Sequence, residues 1–394
     1  MERRMLGVFS AISFLSEMYR GIFRVFFVLY LYNEIGASLK QAGIIFTLII
    51  IVNALSQIVW GWISDRIAKR KHFIILGEGI PGLVFLFLPG ITNIVTLAFV
   101  IIAVQTFWSM AAPAWKALIA EHSSPGERAG SMGKITMFGG IGSMIGIYIV
   151  GDVIPLYGYT FFFFFSAFCM FLASSTALFL REPDGLQPSH QKLLSTEQLR
   201  TLFTEHRPFS VFTLFILLSL FVVQLIDKFI PVYAEMLGGN IKQISYLYIL
   251  EDGVITASMT PMGKLTDKMG RVKMLQISLL VRTSAILLFA VAPVWWYLLP
   301  VMVIENIGYS GYHVSWFAVL SSLTPRERRG TYMGFHNSIV YTLSSFAPSI
   351  GGVIADGSGF RVLFLSSFVF SIFVAIFFIS WLHKHDETIN ESKN

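Results

Sequence analysis

The sequence predicts an all-α integral membrane protein with twelve transmembrane helices in two parallel-repeat six-helix halves. Three observations carry this. Of 394 residues, 55% are apolar and only 13% charged, against roughly 25% charged in soluble domains. Stretches near the length of about 20 apolar residues that a helix needs to cross a bilayer recur from end to end. Two charged motifs each occur twice, half a chain apart.

The spans run, in order, over roughly 6–32, 40–63, 72–90, 94–119, 131–153 and 157–180, then 209–235, 241–264, 272–292, 295–322, 331–354 and 360–382. Helices are favoured over barrel strands because runs such as "FIILGEGIPGLVFLFLPGI" lack the polar/apolar alternation of about ten residues that a barrel strand shows. The first span, led by "MERRMLG", is too long and too charged for the apolar part of a cleavable signal peptide, so none is expected. The stretch 181–208, "REPDGLQPSHQKLLSTEQLRTLFTEHRP", is the long polar connection. Its "LSTEQLRTLF" segment reads equally as a surface amphipathic helix or a plain linker. The domain reading is therefore 1–180 for the first half, 181–208 for the linker, 209–383 for the second half and 384–394 for a tail.

Lys and Arg placement sets the orientation. With both termini in the cytoplasm, the cytoplasmic segments collect Arg3, Arg4, Arg66, Lys69, Arg70, Lys71, Arg128, Lys268, Arg271, Arg326, Arg328 and others, and the opposite segments hold Lys40, Lys242 and Arg361. The net charge of +6 thus reports topology, with no nucleic acid as partner. The single cysteine, Cys169, can form no intrachain disulfide. No His-Glu-x-x-His, phosphate loop or Gly-x-Ser-x-Gly is present, so neither an enzyme nor a metal or other cofactor is expected.

The repeated motifs lie in the loops. "GWISDRIAKRK" at 61–71 and "GKLTDKMGRVK" at 263–273 share Gly-x-x-x-Asp-[Arg/Lys], and "SPGERAGSMG" from 124 and "TPRERRGTYMG" from 324 share Pro-x-Glu-Arg-x-Gly. Gly61 to Gly263 is 202 positions and Ser124 to Thr324 is 200. Two motifs with nearly one offset, on the same side, argue for duplicated parallel halves. Glu127–Arg128 and Glu327–Arg328 stand just ahead of spans 5 and 11, where a negative charge suits the positive end of a helix. Their arginines are expected to share a charge cluster with Asp65 or Asp267, and Gly61 and Gly263 to let helices approach closely.

On these residues the chain resembles the major facilitator superfamily of secondary transporters, of which the Gly-x-x-x-Asp-Arg loop is the best-known signature. Ala68 stands where that loop usually has glycine, and span 5 lacks the Gly-Pro pair usual in drug–proton antiporters, a pattern that "APSIGG" at 347–352 resembles better. The resemblance implies a functional monomer in the cell membrane that works by alternating access. It implies that spans 1, 4, 7 and 10 line a central cavity. It implies a cytoplasmic latch in which Asp65 faces the start of span 11 and Asp267 the start of span 5, with Gly61, Arg66, Arg70, Gly263, Lys268 and Arg271 in the same loops.

Ionisable residues inside spans are costly and therefore candidates for function. Glu17, Arg20 and Arg24 fall on one face of span 1 by their i, i+3, i+7 spacing. Span 7 carries Gln224, Asp227 and Lys228, the last two pointing about 100° apart on a regular helix. Glu251 and Asp252 are neighbours in span 8, a pair in which one acid could carry a proton at neutral pH. Glu305, Tyr309, Tyr312, His313 and Trp316 lie in span 10, Arg282 in span 9 as a possible counter-ion, and Glu78 in span 3 with no evident partner. Glu17, then Glu305 and Asp227, are expected to couple protons; Trp108, Trp115, Tyr309, Tyr312 and Trp316 offer aromatic walls. The functional expectation is proton-coupled export of a small organic solute. Proton-coupled uptake or facilitated diffusion of a metabolite stands beside it, and a non-transporting sensor or scaffold is the reading from another class.

Overall fold

The computed structural model describes residues 1–67, 69–124, 127–182, 207–324 and 329–384; Arg128 is described by its backbone alone. The linker segment 183–206, residues 325–328 with Glu327 and Arg328, and the tail from 385 lie outside the described residues.

Among the described residues, twelve helical rods follow the sequence order, and each carries the number of its span. Spans 1 to 6 are Arg3–Leu29, Leu39–Ile67, Arg70–Phe85, Ile94–Glu121, Arg128–Tyr157 and Tyr159–Ala177. Spans 8, 9, 10 and 12 are Ile241–Met269, Arg271–Ala290, Leu298–Ser322 and Phe360–Lys384. Two spans are broken. Span 7 runs Arg207–Ile226, tightens to a 3-10 turn at Asp227–Phe229 and resumes at Ile230–Met236 with Pro231 early in the second piece. Span 11 runs Arg329–Ser344 and resumes at Ala347–Ser358 behind Pro348, since a proline is well placed in a first helical turn and poorly placed further in. Span 4 starts on Asn93, whose side chain accepts hydrogen bonds from the backbone N–H of Val95 (2.9 Å) and Thr96 (3.1 Å), satisfying donors that a helix start leaves unpaired.

Among the described residues, nine helices are long and apolar enough to cross a membrane. Spans 1, 8 and 10 fall short of that measure. They are the helices that carry Glu17, Arg20 and Arg24, Glu251 and Asp252, and Glu305. The lipid-facing positions are as apolar as the core: Phe99, Phe168, Phe179, Phe373 and Phe377 are all exposed, as a chain solvated by acyl chains requires.

The chain forms two compact units. Unit 1 comprises residues 1–37, 48–191 and 240–252; unit 2 comprises 38–47, 192–239 and 253–394. In unit 1, span 1 packs on spans 5 and 6, and span 3 on spans 4 and 6. In unit 2, span 7 packs on spans 11 and 12, and span 9 on spans 10 and 12. Shifted by six spans, these are the same pairings, so the duplication read from the loops extends to the packing. Turn geometry repeats too. Gly36 and Gly238, 202 positions apart, both have positive φ (69° and 88°), as do Gly158 and Gly359, 201 apart (72° and 82°). Each unit also holds the opening turns of one span whose remainder lies in the other: 38–47 of span 2 in unit 2, and 240–252 of span 8 in unit 1.

Small residues permit the tightest contacts. A Cβ on Gly142 would strike the carbonyl of Phe14 in span 1, and a Cβ on Gly351 the carbonyl of Leu225 in span 7. Both belong to equivalent helix pairs, span 5 on span 1 and span 11 on span 7, and both contacts are with backbone, which cannot rotate aside.

Candidate functional site

Span 1 presents its charged face to the interior of unit 1, where two arginines one turn apart each meet two carboxylates. Arg20 Nη1 donates to Glu17 Oε1 (3.1 Å) and Nη2 to Glu78 Oε1 (3.4 Å). Arg24 Nη1 donates to Glu251 Oε1 (3.3 Å) and Nη2 to Asp252 Oδ1 (2.8 Å). The i, i+4 spacing of the arginines makes the two triads neighbours along span 1.

The acids of the first triad have unlike surroundings. Glu78 is 2% exposed and accepts hydrogen bonds from Ser16 Oγ (2.9 Å), from the hydroxyl of Tyr19 and from Arg20. Tyr19 is itself fully buried and stacks on Trp108 of span 4, with ring centroids 5.3 Å apart and planes 10° apart. The side chain of Glu17 is 42% exposed. The expectation that Glu78 lacks a partner is thus corrected: it is among the most fully bonded acids in the chain. The sequence hides this because the donors sit on span 1, about 60 residues away.

In the second triad, Ser143 Oγ of span 5 donates to Asp252 Oδ2 (2.7 Å), and the Arg24 guanidinium lies 5.5 Å from the ring centroid of Tyr248. To the pairing of these two acids read from the sequence the structure adds the Arg24 guanidinium, bonded to both. Toward the start of span 8, Lys242 Nζ meets Asp152 Oδ1 at 2.9 Å.

Unit 2 carries simpler pairs. Arg282 of span 9 donates through Nε (3.0 Å) and Nη2 (2.8 Å) to Glu305 Oε1 of span 10, and lies 5.4 Å and 5.1 Å from the rings of Tyr309 and Tyr312. His313 is exposed and neighbours Tyr309 (5.7 Å) and Trp316 (5.8 Å). Asp227 and Lys228 bond each other, Nζ to Oδ2 at 2.6 Å. The 3-10 turn at Asp227–Phe229 sets adjacent side chains about 120° apart, so the pair forms through the flexible lysine stem bending back to its neighbour.

The loop motifs are placed as follows. Asp65 meets Arg70 Nη2 at 3.4 Å, and the same nitrogen meets Glu121 Oε1 of span 4 at 2.7 Å. Arg66 lies over Trp62 on its own helix, 4.0 Å from the ring centroid. Glu127 accepts from Ser124 Oγ (2.9 Å) and from the Met1 amine (2.7 Å). Among the described residues, Arg70 and Glu121 gather at Asp65 while Glu127 meets Ser124 and Met1; the expected share of the Arg128 and Arg328 side chains lies outside the described residues. Among the described residues, a Cβ on Gly61 would make ordinary contact with Pro113 at 3.6 Å, and one on Gly263 would meet nothing within 4 Å. Among the described residues, backbone-tight approach is found at Gly142 and Gly351 and not at these two glycines. Asp267 and Lys268 sit in the last turns of span 8, Gly270 follows with φ of 89°, and Arg271 opens span 9. Gly270 is the repeat counterpart of Ala68, which lies outside the described residues.

Several participants escaped the sequence reading, among them Ser16, Tyr19, Ser143, Asp152, Glu121 and His336. Glu121 closes the Arg70 cluster from a helix end. His336 of span 11 is fully buried, with Nδ1 2.9 Å from Thr213 Oγ1 of span 7 and its ring 5.6 Å from that of Trp316. An ionisable ring inside a span was the signal that could have found His336.

Comparison with known proteins agrees with this architecture. Residues 19–366 match the model of the MFS_1 like family. The MFS-type transporter MJ1560 of Methanocaldococcus jannaschii is 25% identical over 361 residues, covering 89% of this chain and 90% of that protein. Multidrug resistance protein MdtG of Salmonella typhi is 21% identical over 352 residues, covering 86% and 84%. Among solved structures, a mutant of the peptide transporter POT superposes with a TM-score of 0.81 at 13% identity, covering 99% of this chain and 95% of that one. A mutant of nucleoside transporter NupG gives 0.80 at 14% identity, covering 95% and 99%. With twelve helices, a six-span repeat and a family match over most of its length, the chain belongs to the MFS_1 like family of major facilitator transporters.

Proposed function

We propose that the protein exports a small organic solute across the cell membrane by alternating access, in exchange for protons. The observation that carries this is the pair of arginine-centred triads on span 1. Four carboxylates and two guanidiniums are concentrated inside unit 1 of a transporter fold. Keeping such groups in a bilayer costs about 2.5–3.5 kcal/mol each on insertion scales, and carboxylates are the groups that can trade a proton as conditions change. Among them Glu17 is the most exposed, 42% against 2–15% for the other three, so it is the coupling residue. Export is supported by the likeness to MdtG, a protein named for multidrug resistance. The bias of Lys and Arg supports cytoplasmic termini. Asp65, Asp267 and their loops are assigned to the conformational cycle: Asp65 is half exposed and held at 3.4 Å by Arg70, an attachment weak enough to be exchanged.

The test is flux. Purified protein in liposomes with an imposed pH gradient is offered a panel of fluorescent organic cations, zwitterions and neutral compounds. Gradient-driven movement of at least one compound, lost in Glu17→Gln, supports the proposal. Neither flux nor binding across the panel, with Glu17→Gln indistinguishable from wild type, favours a sensor or scaffold.

A further inference from the structure

The Glu17–Arg20–Glu78 triad has two carboxylates and one guanidinium. The titratable and charged groups acting on Arg20 are Tyr19, Glu17 and Glu78. Trp108 of span 4, stacked on Tyr19, and Gly139 of span 5, beside Glu17, carry no titratable group. With both acids ionised the triad is one positive charge short, and one proton makes it neutral.

The two acids divide the task by their surroundings. Glu78 is buried and receives three donors, Ser16, Tyr19 and Arg20, an arrangement that serves an anion. The Glu17 side chain is 42% exposed, and its hydrogen bond within the triad is the one from Arg20. Arg20 reaches both, one terminal nitrogen to each.

We propose that this triad is a proton-binding site in which Glu17 takes the proton and Glu78 is the fixed anion that holds Arg20 while it does so. When a proton arrives from water, an O–H bond forms on the Glu17 carboxylate and the Glu17–Arg20 ion pair is lost. The guanidinium settles on Glu78, and the net charge of the triad goes from minus one to zero. Release returns the proton to water and Arg20 to its shared position. Glu78 is thus a positioning residue: without it, protonating Glu17 would strand Arg20 as an unbalanced cation. Tyr19, clamped on Trp108, keeps Glu78 in place. The inference rests on the proposed proton coupling at Glu17 and adds to it the partner that lets the proton bind.

The experiment needs no solute. Infrared pH-difference spectra of the full-length protein in liposomes read the protonated-carboxyl band and its midpoint. The expected results are a band that disappears in Glu17→Gln and a midpoint at least one pH unit lower in Glu78→Gln. In Tyr19→Phe, where the Glu78 anion loses a donor, the midpoint should rise. Glu78→Asp, which keeps the charge, should stay near wild type and guards against loss of folding in Glu78→Gln. The inference is overturned if the band survives Glu17→Gln, or if Glu78→Gln and Tyr19→Phe both leave the midpoint in place. A band that behaves as expected in a protein without proton-driven flux would instead defeat the proposed function and leave the proton site standing.

Discussion

Replacing Glu305 with Gln isolates the contribution of the one ion pair that links spans 9 and 10 within unit 2 among the described residues. Arg282 is about nine-tenths buried and gives two nitrogens to a single Glu305 oxygen, at 3.0 and 2.8 Å. Glutamine keeps the shape and an acceptor but removes the charge, which leaves the guanidinium unbalanced. Breaking a buried pair costs about 3–5 kcal/mol. Two features lower that figure for this pair. Glu305 is partly exposed, at 22%, and the Tyr309 and Tyr312 rings lie within 5.4 Å of the cation and retain part of its stabilisation. With that reduction, about 2–3 kcal/mol remains. At about 2–4 °C per kcal/mol for a domain of this size, the thermal midpoint in detergent should fall by about 4–12 °C. The double variant Glu305→Gln with Arg282→Gln removes the stranded charge and should recover at least half of the loss. A Glu305→Gln protein as stable as wild type, or a double variant worse than both singles combined, would refute a structural ion pair and return Glu305 to the coupling candidates.

Other consequences follow from packing. Gly142→Ala drives a methyl into the Phe14 carbonyl and should cost about 1–3 kcal/mol, read as a lower thermal midpoint, whereas Gly263→Ala, with open space around it, should leave that midpoint within about 0.5 kcal/mol of wild type. Gly270→Ala forces a side chain into the left-handed region at φ 89° and should cost about 1–2 kcal/mol in the same assay. Thr213→Val leaves His336 Nδ1 without its partner at 2.9 Å, a loss of about 1–3 kcal/mol; adding His336→Phe should restore part of it, and a double variant no better than the single would show that the hydrogen bond matters little.

The fold was legible because its signals are one-dimensional. Apolar length marks a span, and a motif recurring after about 200 positions marks a repeat, with no need to know which helices touch. Pairings one helical turn apart, such as Glu17 with Arg20, were legible for the same reason. Partners that meet only through tertiary packing were not. Nothing in "GEGIPG" says that Glu78 faces Ser16, Tyr19 and Arg20, nor does the sequence of span 1 say that Arg24 meets Glu251 and Asp252. Asp227 and Lys228 misled because the directions of adjacent side chains were weighed without the reach of a lysine stem, which brings Nζ back to its neighbour's carboxylate. The motif glycines drew attention that belonged to Gly142 and Gly351, since close approach depends on the facing backbone and leaves no trace in spacing.

Proton coupling through Glu17 is tested most directly in proteoliposomes carrying a solute found in the flux panel. Wild type should move it both down an imposed pH gradient and by counterflow without one. Glu17→Gln should lose the gradient-driven movement at least tenfold and keep the counterflow. Gradient-driven flux undiminished in Glu17→Gln would contradict the assignment.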